Sequence, residues 1–304
     1  MSNEELTSEQ SLATNGRSFH WARRFLGQRM GSDAARLYAF CRVLDDMADG
    51  DIADGPARLR AIRDDLAAGR TGDDPALLAF LPLMEEKRFP AEVLVALIDG
   101  LLEDQVEMVA LADEAELLRY AYRVAGTVGL LMCHVLDCHA PAARAHAIDL
   151  GIAMQLTNIA RDVLEDASMN RRYIPGDWVD DVGPADILGA AAAPGSGHGP
   201  AITAAVGRLL DLAEDFYASG AQGYRYLPWR AHLSIAVAAR VYRQIGIQLR
   251  AAGHNWHDGR QVTSSATKLR CSVLALGSLG SRLGGEGRHD GRLHLALRGL
   301  PYVA

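Results

Sequence analysis

The feature that most constrains the fold is a helical period that runs through almost the whole chain. Apolar residues recur at i, i+3, i+4 and i+7 over long stretches, which is the spacing of an amphipathic helix. Runs of β-branched residues, which favour strands, are scarce, and no two segments carry a convincing strand-pair signal. The sequence therefore predicts an all-α protein.

Short segments rich in glycine, proline and aspartate separate the predicted helices. The helices are predicted over residues 16–30, 33–50, 57–69, 75–85, 91–111, 114–137, 142–168, 200–219, 228–253 and 264–282. Residues 1–15 are predicted to be a flexible N-terminal tail. Residues 16–282 are predicted to form a single domain, and residues 283–304 a C-terminal tail of uncertain order. The best linker candidate is Gly183–Pro200, the segment GPADILGAAAAPGSGHGP.

Composition excludes several classes of protein. A chain of 304 residues with 49% hydrophobic and 23% charged residues is globular in character. It has no run of 18 apolar residues that would span a membrane, and its polar N-terminus does not resemble a signal peptide. Four cysteines form no CxxC pair, which favours a reduced, cytoplasmic location. The net charge of −7 argues against a nucleic-acid partner.

The charge is unevenly distributed along the chain. From Arg225 onward there are twelve basic and three acidic residues, a net charge of +9, which leaves −16 for residues 1–224. A basic C-terminal third in an acidic protein predicts either a bound anion or contact with an anionic membrane surface, such as the inner face of the cytoplasmic membrane.

Acidic residues stand at helical spacing in two places about 120 residues apart. In FCRVLDDMAD, Asp45 and Asp49 are four residues apart, and in QLTNIARDVLED the same spacing relates Asn158, Asp162 and Asp166. Residues four apart lie on one face of a helix. The flanking sequence is apolar, so the two acidic faces are predicted to line a cleft and not to face solvent.

A strip of oxygen ligands on a largely buried helix is costly unless a cation meets it. Mg²⁺ takes oxygen ligands and commonly binds through one or two carboxylates, waters and substrate phosphates. The two acidic helices are therefore predicted to hold Mg²⁺, with Mn²⁺ as an alternative, and the ions to hold a diphosphate. The other interpretation is two unrelated solvated faces, with Arg42 paired to Asp45.

Several segments resemble the squalene and phytoene synthase family in order and separation. They are SFHWARRFL, YAFCRVLDDMAD, YAYRVAGTVGLL and LGIAMQLTNIARDVLEDASMNRRYIPGDW, followed by ARVYRQIGIQLRAAG and WHDGRQVTSSATKL, which look most like the bacterial phytoene synthases of the family. The resemblance covers about residues 16–270. It implies the helical isoprenoid synthase bundle, with a central cavity between the two acidic helices.

The resemblance also implies roles for individual residues. Its metal ligands match Asp45, Asp49, Asn158, Asp162 and Asp166. Its substrate and diphosphate contacts match Ser18, Phe19, Arg42, Gln155, Arg161, Arg171, Tyr173, Tyr242, Arg260 and Lys268. Tyr120 matches a cavity tyrosine near the reacting carbons, and together with the four aspartates it is predicted to be catalytic. Arg172 departs from the family, which often has an apolar or small polar residue there.

The implied reaction joins two geranylgeranyl diphosphates head to head into phytoene through a cyclopropyl diphosphate, without NADPH. The alternative within the family is synthesis of squalene, dehydrosqualene or presqualene diphosphate from farnesyl diphosphate. Two other classes are a terpene cyclase or chain-elongating prenyltransferase, and a helical scaffold without chemistry. Peripheral membrane association is expected because substrate and product are lipids. No prediction follows for the oligomeric state.

Two further motifs have a packing interpretation beside a functional one. Gly126 and Gly129, in VAGTVG, permit either close helix packing or close approach of a substrate. The segment CHVLDCH contains two cysteines and two histidines, but helical geometry scatters them around the helix, so a zinc site is rejected there.

Overall fold

A computed structural model of the chain describes residues 21–259, 261, 263–283 and 288–303. The α-helices, numbered in chain order within these residues, are α1 (Gln28–Ala48), α2 (Gly55–Ala67), α3 (Pro75–Lys87), α4 (Ala91–Glu103), α5 (Glu114–Ala121), α6 (Thr127–Val135), α7 (Ala143–Ser168), α8 (Pro184–Ala191), α9 (Gly199–Gln222), α10 (Trp229–Ala251) and α11 (Ser265–Leu276). The all-α prediction is confirmed. The breakers predicted from glycine, proline and aspartate fall between helices.

Helix α7 is the centre of the bundle. It packs against α6, α8, α9 and α10, and its alanine, isoleucine and leucine side chains are buried on several faces. The close contact with α6 depends on Gly129, because a Cβ there would lie 2.1 Å from the carbonyl oxygen of Ala147. The packing interpretation of Gly129 is therefore confirmed, although this residue also lines a cavity described below.

The predicted helix 114–137 forms as one helical unit with a change of pitch inside it. Helix α5 passes through a π-helical turn at Tyr122–Gly126 into α6. The Thr127 hydroxyl donates a hydrogen bond to the Arg123 carbonyl at 2.6 Å at this point. π-Helical turns occur frequently at functional sites, and this one presents Val124 and Ala125 to a cavity.

The predicted helix 91–111 is too long. Helix α4 ends at Glu103, and Val109–Ala110 (β1) instead pairs in parallel with Arg171–Arg172 (β2). The expectation of no strand pair is therefore wrong. A two-residue strand has no sequence period to detect, and the pairing joins segments about 60 residues apart. Its consequence is that Arg171 is held beside the end of α4.

The linker predicted at Gly183–Pro200 is wrong for its first half, while residues 192–198 form turns between two helices. Residues Pro184–Ala191 form α8, which packs against α7 and buries Ile187. Its alanines and glycines carry little apolar surface, so the amphipathic pattern is weak there. Near the N-terminus, the chain breaks at Gly27, with φ of 80°, and α1 continues unbroken through the predicted gap at residues 31–32.

Residues 288–303 pack onto the bundle. Leu297 and Leu300 are buried in the same core as the helices. The Arg119 guanidinium donates hydrogen bonds to the carbonyls of Ala296 and Arg298 at 3.0 and 3.2 Å. This segment, to which the sequence assigned no definite order, is thus held by α5.

Candidate active site

The strip of polar residues on α7 lies in the wall of a polar cavity. Gln155, Asn158, Asp162 and Asp166 all line it. The Asn158 amide donates to Gln155 Oε1 at 3.3 Å. Its own Oδ1 is buried and has no hydrogen-bond partner among the described residues, so an oxygen ligand is available toward the cavity.

The first acidic motif faces this strip across the cavity. Asp45 and Asp49 line the same cavity from the end of α1. Arg42 bonds Asp45 Oδ2 through Nη1 at 2.8 Å, as predicted, and reaches Asp46 Oδ1 through Nη2 at 2.5 Å. The predicted meeting of two acidic helices is therefore observed in this arrangement, and the interpretation as two unrelated faces does not hold.

Two arginines neutralise part of the negative charge of the cavity aspartates. Arg171 Nη2 lies 2.9 Å from Asp49 Oδ1 and links β2 to α1. Arg161 Nε donates to Asp162 Oδ1 at 2.7 Å, and its Nη2 bonds the other oxygen of the same carboxylate. Both arginines line the polar cavity, so both can meet an anion bound there.

The remaining acids are left with excess negative charge. Burial, together with the neighbouring carboxylates of Asp162 and Glu165, raises the pKa of Asp166 to about 8. Burial and the carboxylate of Asp49 likewise raise the pKa of Asp45 to about 6. Such shifts mark carboxylates whose charged form is disfavoured by burial and like charge more than nearby cations favour it, which fits a site built to receive a cation.

Asp104 is a cavity residue that the sequence analysis missed. It follows the last residue of α4, and its Oδ2 and Oδ1 accept hydrogen bonds from the hydroxyls of Tyr120 and Tyr173 at 2.9 and 2.8 Å. The two tyrosine rings stack with centroids 4.6 Å apart. The sequence signal was weak: an acid at the end of an apolar helix, with Glu107 three residues later in a segment that carries no other feature of a site.

An apolar cavity adjoins the polar one. Gln155 and Asn158 line both, so the two spaces meet at this part of α7. The polar cavity has a volume of about 260 Å³ and the apolar one about 320 Å³. The walls of the apolar cavity include Leu37, Val128 and Met154, and predicted contact Tyr242 also lies there.

Six of the predicted contacts are not among the described residues that line the polar cavity. Arg42 pairs with Asp45 and Asp46, and Tyr242 lines the apolar cavity. Ser18, Phe19 and Arg260 lie outside the described residues, so their roles stay predictions. Lys268 is on α11 and is not among the described residues that line either cavity. The role of Lys268 in binding diphosphate likewise stays a prediction.

The departure at Arg172 has a structural explanation. Its side chain is buried, and Nη1 donates to the carbonyl oxygens of Leu111 and Ile174 at 3.0 and 2.9 Å. It therefore holds the loop after β1 against the segment after β2. Arg171 turns to the cavity and Arg172 turns away from it, as expected for neighbours on an extended strand.

An all-α bundle with two acidic helices across a polar cavity, next to an apolar one, defines a helical synthase of the isoprenoid type. The family model for squalene/phytoene synthase matches residues 12–268. The chain belongs to this family, whose members are prenyltransferase enzymes.

Relatives in the family are similar over most of their length. A 15-cis-phytoene synthase of Paracoccus sp. (strain N81106 / MBIC 01143) is 37% identical over 94% of this chain and 96% of its own. A phytoene synthase of Pseudescherichia vulneris is 34% identical over 89% of this chain and 90% of its own. A crystal structure of a dehydrosqualene synthase matches with a TM-score of 0.76 and 25% identity, over 91% of this chain and 97% of that one.

Proposed function

We propose that this protein condenses two geranylgeranyl diphosphates head to head into phytoene, in carotenoid biosynthesis. The observation that carries the proposal is the junction of the two cavities at Gln155 and Asn158. A diphosphate fits the polar space with its counter-ions, while the isoprenoid chain extends into the apolar space. Phytoene synthases among the relatives support the twenty-carbon substrate.

The residues present fit Mg²⁺, and Mn²⁺ as an alternative. Five aspartates and two arginines are among the described residues that line the polar cavity, so negative charge is in excess. The donors are oxygens, which Mg²⁺ prefers. The metal would be held by Asp45, Asp49, Asn158, Asp162 and Asp166. When bound, it would neutralise charge that develops on the departing diphosphate.

The chain's own groups have separate tasks in this proposal. Arg171 and Arg161 hold the diphosphate by charge-assisted hydrogen bonds. The apolar wall excludes water, which would otherwise quench a carbocation. Burial raises the pKa of Tyr120 well above its ordinary value, and its hydroxyl donates to Asp104. The Tyr120 hydroxyl therefore keeps its proton, so its ring acts on the cation, and the departed diphosphate accepts the final proton.

Incubation of the purified protein with geranylgeranyl diphosphate and Mg²⁺, without NADPH, is expected to yield phytoene and two inorganic diphosphates per product. Chromatography with mass spectrometry identifies the product, and a colorimetric assay measures diphosphate. A parallel reaction uses farnesyl diphosphate with and without NADPH. Conversion of only the fifteen-carbon substrate, to squalene or dehydrosqualene, would contradict the substrate assignment and leave the family assignment intact.

We also propose that α11 docks peripherally on an anionic lipid surface. Leu269, Val273 and Leu276 are 59%, 60% and 53% exposed and stand at i, i+4 and i+7 on one side of the helix. Arg270 lies beside them in a basic third of the chain. An exposed apolar stripe with adjacent positive charge matches an interfacial helix. No described helix is long and apolar enough to cross a membrane.

Sedimentation with phosphatidylcholine vesicles that contain phosphatidylglycerol measures this docking. Replacing Leu269, Val273 and Leu276 together by Ser is expected to lower the vesicle-bound fraction at least about tenfold, since each buried apolar side chain contributes on the order of 1 kcal/mol. Leu78→Ser, at an exposed leucine on α3, is the matched control. Equal binding of the triple variant and the parent protein would refute docking through α11.

A further inference from the structure

A second cluster of metal-binding side chains lies away from the polar cavity, on the same central helix. Asp149 is on α7, thirteen residues before Asp162, which corresponds to about 20 Å along a helix. Two histidines from the segment 288–303, His289 and His294, meet this carboxylate. The ligand atoms of the three residues all lie within 4.8 Å of one another.

Each oxygen of the Asp149 carboxylate faces one imidazole. His289 Nε2 lies 3.0 Å from Oδ2, and His294 Nε2 lies 2.7 Å from Oδ1. Asp149 is fully buried, and the His294 side chain is almost so. A buried carboxylate is costly unless paired, so pairing with Asp149 holds both histidines against the same position on α7.

Neighbouring groups orient the carboxylate and surround the cluster. The Ser219 hydroxyl, on α9, donates to Asp149 Oδ2 at 2.5 Å. The rings of His289 and His294 are 4.3 Å apart, and a third imidazole, that of His146, lies 5.5 Å from the ring of His289. A hydrogen bond that fixes a ligand in place is the usual support of a metal site.

We propose that Asp149, His289 and His294 form a binding site for a divalent transition ion, Zn²⁺, with a fourth position open to solvent or His146. Two imidazoles and one carboxylate are a donor set for such ions. Mg²⁺ prefers oxygen ligands only, so this site differs in chemistry from the polar cavity. The ion replaces the two Nε2–H···O contacts and joins the segment 288–303 to the core of the bundle.

The experiment uses the full chain, stripped with a chelator and dialysed into excess Mg²⁺ so that the acidic cavity is occupied. Zn²⁺ is then added, free metal is removed, and bound zinc is measured by inductively coupled plasma mass spectrometry. About one zinc per chain is expected. A zinc-dependent rise in Tm of about 5 °C is expected at a hundredfold excess over Kd. Co²⁺ in place of Zn²⁺ should give visible d–d absorption.

Variants assign the ion to its ligands. His289→Gln with His294→Gln keeps side chains that can donate to Asp149 but removes both imidazoles, and it should abolish zinc retention and the zinc-dependent Tm rise. His139→Ala, at an exposed histidine outside the cluster, should retain both. Should the double variant not fold, His289→Gln alone provides the same comparison, with zinc affinity expected to fall at least about tenfold.

Three results would overturn the proposal. The first is retention of far less than one zinc by the parent protein. The second is one zinc retained by the glutamine variants with unchanged affinity. The third is zinc lost on Asp162→Asn and kept on His289→Gln, which would place the ion in the acidic cavity.

Discussion

Replacement of Asp162 by Asn is expected to reduce turnover at least about 100-fold, because it removes a principal stabiliser of charge in the transition state. Asp162 lines the polar cavity between Asn158 and Asp166 on α7. Folding is expected to survive, since one negative charge fewer relieves the repulsion that raises the pKa of Asp166. The measurement is steady-state release of diphosphate at saturating Mg²⁺, with the thermal melt recorded for each variant.

The same loss is expected for the corresponding changes at Asp45, Asp49 and Asp166. Glu165→Gln is the matched control, since it removes the same charge from the same helix. Glu165 is exposed and is not among the described residues that line the cavity. Its turnover should stay within about threefold of the parent protein. Near-normal turnover of the Asp162→Asn protein would remove that carboxylate from the site.

Arg171→Ala is expected to weaken diphosphate binding, and Arg172→Ala to lower the stability of the fold, although the two residues are adjacent. Arg171 faces the cavity and binds Asp49, so its loss should weaken the binding of inorganic diphosphate. A hydrogen bond to a charged group contributes about 1.5–3 kcal/mol, which corresponds to about a 10- to 150-fold change in Kd. Its melting temperature should change little. Calorimetric titration of diphosphate in the presence of Mg²⁺ measures this affinity.

Arg172→Ala should instead destabilise the fold. It removes the guanidinium donor from the Ile174 carbonyl oxygen and one of two donors from that of Leu111, which keeps the Gly176 N–H. It also opens a void where the buried guanidinium lay. The expected cost is about 3 kcal/mol, or a fall in Tm of about 5 °C or more. At a temperature where it is folded, its diphosphate affinity should match the parent protein. An unchanged Kd for diphosphate in Arg171→Ala would contradict the assignment of the two side chains. So would weaker diphosphate binding in Arg172→Ala alone.

The two acidic motifs could be read from the sequence because their geometry is local. Residues four apart must share a helix face once the helix forms, whatever packs around it. The apolar flanks of Asp45 and of Asp162 also determine which face turns inward, because burial of apolar surface dominates helix docking. The composition and period of the chain thus determined the all-α class, most helix positions and four of the five aspartates that line the polar cavity.

The tertiary structure alone decided which residues from distant segments meet. Asp104 stands between Tyr120 and Tyr173, which are 16 and 69 residues away in the chain. The strand pair that turns Arg171 toward the cavity has only two residues on each side. Neither feature repeats at a helical or strand period, so no local pattern marks it.

The histidines give the clearest contrast. The compact motif CHVLDCH does not bring its four side chains to one point. The two cysteines contact each other, whereas His134 Nδ1 lies 3.0 Å from the carbonyl oxygen of Lys87. Asp149 and His294, 145 residues apart, come within 2.7 Å. Proximity along a helix follows from covalent geometry, whereas proximity between segments depends on the packing of the whole core, which a local stretch of sequence does not encode.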